Sequence, residues 1–173
     1  MNIKQRNARA KKVTNQKLAL REKLWGQINE SELWNRKVND GYTTIPRTFP
    51  LIAQIMDNLS GKGTPVSNTY LTIWCRVFDE SFIEIETPAI LAMESGFSGQ
   101  RAITTWNSRM SKLAQLGFIK PERGTLGDYQ YVLVYNPYKI IQKYHEEDNI
   151  SKQLYLALFK RAQEIGADDL SSE

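Results

Sequence analysis

The 173-residue chain is 41% hydrophobic and 24% charged, which is ordinary globular usage: it excludes a disordered chain and leaves room for one core with terminal extensions. One cysteine, Cys75, excludes an internal disulfide, and one histidine, His145, leaves almost nothing for a zinc site or a Ser-His-Asp triad. No apolar run approaches the roughly 20 residues of a membrane-crossing helix, and no apolar segment follows the basic start as in a secretory signal, so an intracellular protein is expected.

The net charge of +4 conceals an uneven distribution. Residues 1–23 carry Lys4, Arg6, Arg9, Lys11, Lys12, Lys17, Arg21 and Lys23 against Glu22 alone, a net of +7. Such an arm on a balanced body suggests an anionic polymer as partner, nucleic acid above all, because basic side chains following phosphates release counterions. The first dozen residues read as disordered and Thr14 to Trp25 as a helix. A short helix over Glu32 to Val38, capped by Ser31, completes an N-terminal region 1–40.

Gly41 to Pro50, with Pro46 and Pro50, reads as an extended connector into the main domain, 41–137. Leu51, Ile52, Ile55, Met56 and Leu59 then recur at helical spacing and predict a first core helix, stopped at Ser60-Gly61-Lys62-Gly63. That glycine-lysine loop is not a phosphate-binding loop, since Lys62 precedes Gly63 and Met56 occupies the position of the upstream glycine. Ser67 is placed to cap a second helix carrying Tyr70, Leu71, Ile73, Trp74, Val77 and Phe78, in which Cys75 reads as a buried structural thiol. Phe82 to Glu86 alternates apolar and acidic side chains and predicts a strand with Glu84 and Glu86 on its wet face. No third polar group accompanies that pair, which argues against acid-base or metal chemistry.

Thr87-Pro88 opens a short helix to Ser95, Gly96 suits the left-handed end, Phe97 plugs the corner, and Ser98 is placed to cap the next helix. In that helix, about 99–116, Ile103, Trp106, Met110, Leu113 and Gly117 form the inward stripe. Gln100, Arg101, Thr104, Thr105, Ser108, Arg109 and Lys112 form an outward face with no acidic residue, which offers donors for guanine and phosphate and contacts for adenine and thymine edges. Leu116 to Lys120 turns into a strand, residues 121–128 form a loop with Arg123 near its tip, and Tyr129 to Tyr135 returns. The fold class expected is α+β, mostly α with a small β-hairpin.

Leu91-Ala92, Gly96-Phe97-Ser98, Leu113 and Leu116-Gly117-Phe118-Ile119 before a hairpin resemble the winged helix-turn-helix family, over about Leu51 to Tyr135. The resemblance implies a winged helix-turn-helix core with N- and C-terminal helical extensions. It also implies double-stranded DNA as partner, with the second helix of the motif in the major groove and the wing on backbone or minor groove. By position, Ser98, Gln100, Arg101, Thr104, Thr105, Ser108, Arg109, Lys112 and Arg123 would then meet DNA, while Lys4, Arg6, Arg9, Lys11 and Lys12 of the arm would meet backbone. Val134-Tyr135-Asn136-Pro137 also looks like the end of the winged domain in plasmid replication proteins of the RepL type. Transcriptional regulation and replication or maintenance of a bacterial mobile element both remain open, and a winged domain serving protein interaction is the alternative. No catalytic residue, metal or cofactor is expected.

Tyr138 to Glu146 and Ile150 to Ile165 predict two C-terminal helices within 138–166, with Leu154, Leu158 and Ile165 on a common side and Gly166 as the stop. Pairing with a second copy into a homodimer and packing on their own core are both compatible with that stripe. Residues 167–173 read as an acidic disordered tail.

Overall fold

A computed structural model describes residues 3–170, except the side chains of Ile3 and Arg6. The chain divides between Tyr42 and Thr43 into two compact units.

The first unit contains α1, Ile3–Trp25, so the segment expected to be disordered is helical from Ile3 onward. Alanines and long unbranched side chains, which lose little freedom in a helix, favour this locally. The short helix expected over 32–38 does not form. A 3-10 turn at Glu30–Glu32 stands there, its Ser31 N–H taken by the Asn29 side chain, and Asn35 likewise accepts from Lys37 N–H. Asparagine side chains compete for backbone donors, and no apolar stripe is present to favour the helix.

The second unit runs α2 (Phe49–Ser60), α3 (Ser67–Trp74), β1 (Phe82–Glu84), α4 (Pro88–Glu94), α5 (Ala102–Gln115), β2 (Ile119–Gly124), β3 (Gly127–Val134), α6 (Pro137–Glu146) and α7 (Lys152–Ile165). It is mostly helical with a small three-stranded antiparallel sheet of order β1-β3-β2, an α+β fold. Phe82 pairs with Leu133 and Ile119 with Val134, which puts Ile83, Val132 and Val134 in the core. Tyr70, Trp106 and Phe118 are its largest fully buried side chains. Phe49 and Phe118 flank the Tyr70 ring at 6.3 and 6.0 Å, and burial pushes the Tyr70 phenol well above its ordinary pKa.

The N-terminus of α3 is capped from another element. Asp57 of α2 accepts from Val66 N–H at 2.7 Å and Ser67 N–H at 2.9 Å, and Ser67 donates its own hydroxyl to the same carboxylate instead of capping. α3 ends at Trp74, so Cys75 is exposed, not buried as expected, and Phe78 lies 80% exposed beyond the helix. α6 and α7 pack on α2 of the same chain, with Ile141, Leu158 and Ala162 buried. Leu170 also returns to the core at 2% exposure, which corrects the tail expected from 167 onward, while residues 171–173 lie outside the described ones.

Candidate nucleic-acid interface

α4 and α5 form a helix-turn-helix whose corner is built by backbone geometry. Gly96 takes φ of +88°, its N–H donates to Met93 C=O at 2.9 Å, and Phe97 N–H donates to Ala92 C=O at 3.0 Å. This paired closure uses carbonyls that the helix end would leave unsatisfied, and the left-handed residue is one only glycine takes without cost. Phe97 is half-buried and packs against the core as expected. Thr87 caps nothing with its side chain, and Pro88 alone marks the start of α4.

α5 begins at Ala102, not near Ser98. Gly99, with φ of +75°, holds the chain out of helix, and Gln100 and Arg101 form a turn closed by Ala102 N–H on Gly99 C=O at 3.1 Å. Ser98 therefore is no cap, and Arg101 occupies the N-cap position in front of the first helical turn.

Trp106, Met110 and Leu113 are fully buried and fix the rotation of α5. Ile103 is 46% exposed, on the flank of the stripe and not within it, and Gly117 lies past the helix, where φ of +81° ends it. Ser98, Gln100, Arg101, Thr104 and Ser108 are exposed, whereas Thr105, Arg109 and Lys112 are half-buried. Arg109 folds back: Nη2 donates to Gly63 C=O at 3.3 Å, Cζ sits 5.9 Å from the Phe97 ring centroid, and Nε is buried without a partner. It braces the corner more than it reaches outward. Its bond to Gly63 brings the α2–α3 turn, with exposed Lys62, beside α5.

Asn107 and Gln115 share the exposed side of α5, and sequence reasoning missed both together with Lys62. Helical spacing from the buried triad signals the first two, whereas nothing local signals Lys62. No acidic residue lies between Glu94 and Glu122.

The hairpin is tighter than expected. Most of residues 121–128 is strand, Gly124 faces Gly127, and only Thr125 and Leu126 turn between them. Pro121 is tolerated because β2 is an edge strand and need not donate outward. Arg123 is exposed and pairs with Asp128 at 3.4 Å, so its charge is partly answered within the hairpin. The buried Gln130 holds the hairpin: Oε1 accepts from Leu126 N–H at 3.0 Å and Nε2 donates to Glu84 at 3.0 Å. Tyr129 ties it to α5, its hydroxyl donating to Asn107 C=O at 3.3 Å and its ring meeting Trp106 edge-on at 5.8 Å.

In the arm, Arg9, Lys11 and Lys12 are exposed on α1, Lys4 lies in its first turn, and the Arg6 side chain is outside the described residues. Among the described residues no group of three His, Cys, Asp or Glu side chains could hold a metal, and no helix is long and apolar enough to cross a membrane. His145 stacks on Tyr155 with centroids 3.6 Å apart. Comparisons with protein-family models, curated proteins and solved structures find no match to this chain.

Proposed function

We propose that the chain is an intracellular, sequence-specific double-stranded DNA-binding protein of the winged helix-turn-helix kind, cytoplasmic and associated with nucleoid or plasmid, and not an enzyme. It acts in transcriptional regulation or in replication or maintenance of a mobile element. One observation carries the reading: a 14-residue helix, pinned by a buried Trp106-Met110-Leu113 stripe, turns the hydroxyl and amide side chains of Thr104, Asn107, Ser108 and Gln115 outward with no carboxylate, with Arg101 exposed at its N-cap and Lys112 half-buried on its flank. Such a face can enter a major groove without repelling phosphates and can pair with base edges. Gln100, Arg101, Thr104, Asn107 and Ser108 are the base-reading candidates, with Lys112, Arg123 and the basic arm on phosphates.

Selection of bound fragments from a random duplex pool tests the reading. A recurrent motif whose affinity exceeds that of a scrambled duplex by about 10³-fold or more is the expected outcome. Recovery of no motif, with equal weak binding to all duplexes, would sink it.

Ile90 and Ile103, each 46% exposed, and Met93, 67% exposed, favour a second reading in which the α4–α5 surface docks a protein partner. On DNA the same side chains would meet thymine methyl groups and sugars. Substituting Ile90 and Met93 with serine leaves binding to the selected motif largely intact under the first reading.

A further inference from the structure

α1 holds 23 residues in helix, and every described side chain in it is exposed except the half-buried Arg21, which pairs with Glu30 of the same unit. Helices in proteins owe most of their stability to burying one face, and α1 buries none. Its first turn has no acidic residue to offset the macrodipole. Arg9 with Lys12 and Lys17 with Arg21 set like charges one helical turn apart, which opposes the helix further. Anionic charge alongside α1 would offset both effects.

The arrangement of its charge narrows the kind of contact. At 3.6 residues per turn, Arg9, Lys11, Lys12, Lys17, Arg21 and Lys23 point in directions spread round the whole circumference. A helix crossing a duplex from outside meets phosphates along one stripe only. A helix lying lengthwise in a groove meets them on both flanks, and a major groove about 12 Å wide admits one. At about 1.5 Å per residue α1 is roughly 35 Å long, close to three times the width of that groove.

We propose that α1 is a second DNA-binding element that works as a helix, seated lengthwise in a major groove, with its helicity completed by the duplex it contacts. The inference rests on the reading of this protein as a duplex binder and adds a conformation and a groove for the arm.

The test uses the full chain and an Ala10→Pro/Ala19→Pro double variant, which keeps every charge and breaks α1. Binding to a scrambled duplex is measured at several salt concentrations, and the helical circular-dichroism signal is followed on adding that duplex or a single strand of equal length. Wild type should gain helical signal with duplex and not with single strand. The variant should gain none, bind about tenfold or more weakly, and show a flatter dependence of affinity on salt. Equal affinity and slope in both proteins would make the arm a flexible charged tail and overturn the proposal. An equal helix gain with single-stranded DNA would overturn the groove, since neutralisation alone would then suffice. Failure of wild type to bind any duplex would instead remove the DNA-binding reading itself. An Ala10→Gly/Ala19→Gly variant, expected to behave between the two, serves if the proline variant alters the melting of the second unit.

Discussion

Arg101 and Trp106 are five positions apart in sequence and have opposite surroundings. Arg101 is exposed at the N-cap of α5, so Arg101→Ala should leave melting unchanged and weaken binding to a selected site by roughly 1–3 kcal/mol. Isotherms on selected and scrambled duplexes check this, and an unaltered preference would remove Arg101 from base reading. Trp106 is fully buried beneath the exposed face of α5, and Trp106→Ala should cost about 3–5 kcal/mol of folding stability. Its indole Nε1 has no hydrogen-bond partner, so Trp106→Phe should cost far less, as it removes volume without breaking a bond. A phenylalanine variant as unstable as the alanine one in chemical denaturation would contradict that. The inward place of Trp106 follows from its spacing to Met110 and Leu113, but the folded-back pose of Arg109 does not, because its partners Gly63 and Phe97 lie outside the helix.

Elements meet through a few bridging interactions, and two can be probed directly. At Gly124 a Cβ would collide with the Gln130 amide and lie 2.9 Å from the Tyr131 ring, so Gly124→Ala should destabilise the hairpin by about 1–3 kcal/mol through overpacking. Amide exchange of the hairpin, compared between variant and wild type, measures this; unchanged protection would mean that Gln130 moves aside freely. Arg76, just beyond α3, pairs with Glu94 at the end of α4, and the hydrogen bond from Arg76 holds the Glu94 carboxyl below its ordinary pKa. The stability from this pair is present in full above the usual carboxylate range and fades as pH falls through the lowered value. Because both side chains are substantially exposed, the effect is small. The melting difference between wild type and Arg76→Met should therefore be largest near neutrality and vanish in acid, and a difference independent of pH would assign it to packing.

Across the whole molecule, charge is segregated. The arm carries a net of +7, Glu94 to Glu122 encloses an acid-free stretch, and Glu84, exposed on β1, and Glu122, exposed on β2, lie on the sheet. Removing residues 1–23 should lower affinity for all duplexes alike and flatten the salt dependence by about 0.9 for each phosphate no longer neutralised, with preference retained. Binding at several salt concentrations on selected and scrambled duplexes separates the two quantities, and a change of preference alone would show that the arm reads bases. Local sequence is enough to dictate the helices whose apolar residues recur at three- and four-residue steps, the alternation that buries Ile83 and Ile85, although the strand itself ends at Glu84, and the glycine endings at Gly96, Gly117 and Gly166, because periodicity and left-handed backbone are local properties. Only the packed fold settles which donors and acceptors meet at a distance: Asp57 on the start of α3, Gln130 between hairpin turn and β1, Arg109 on the α2–α3 turn, and the filling of α6 and α7 against α2. Each depends on residues far apart in the chain arriving together in one packed core, and no local spacing encodes that arrival.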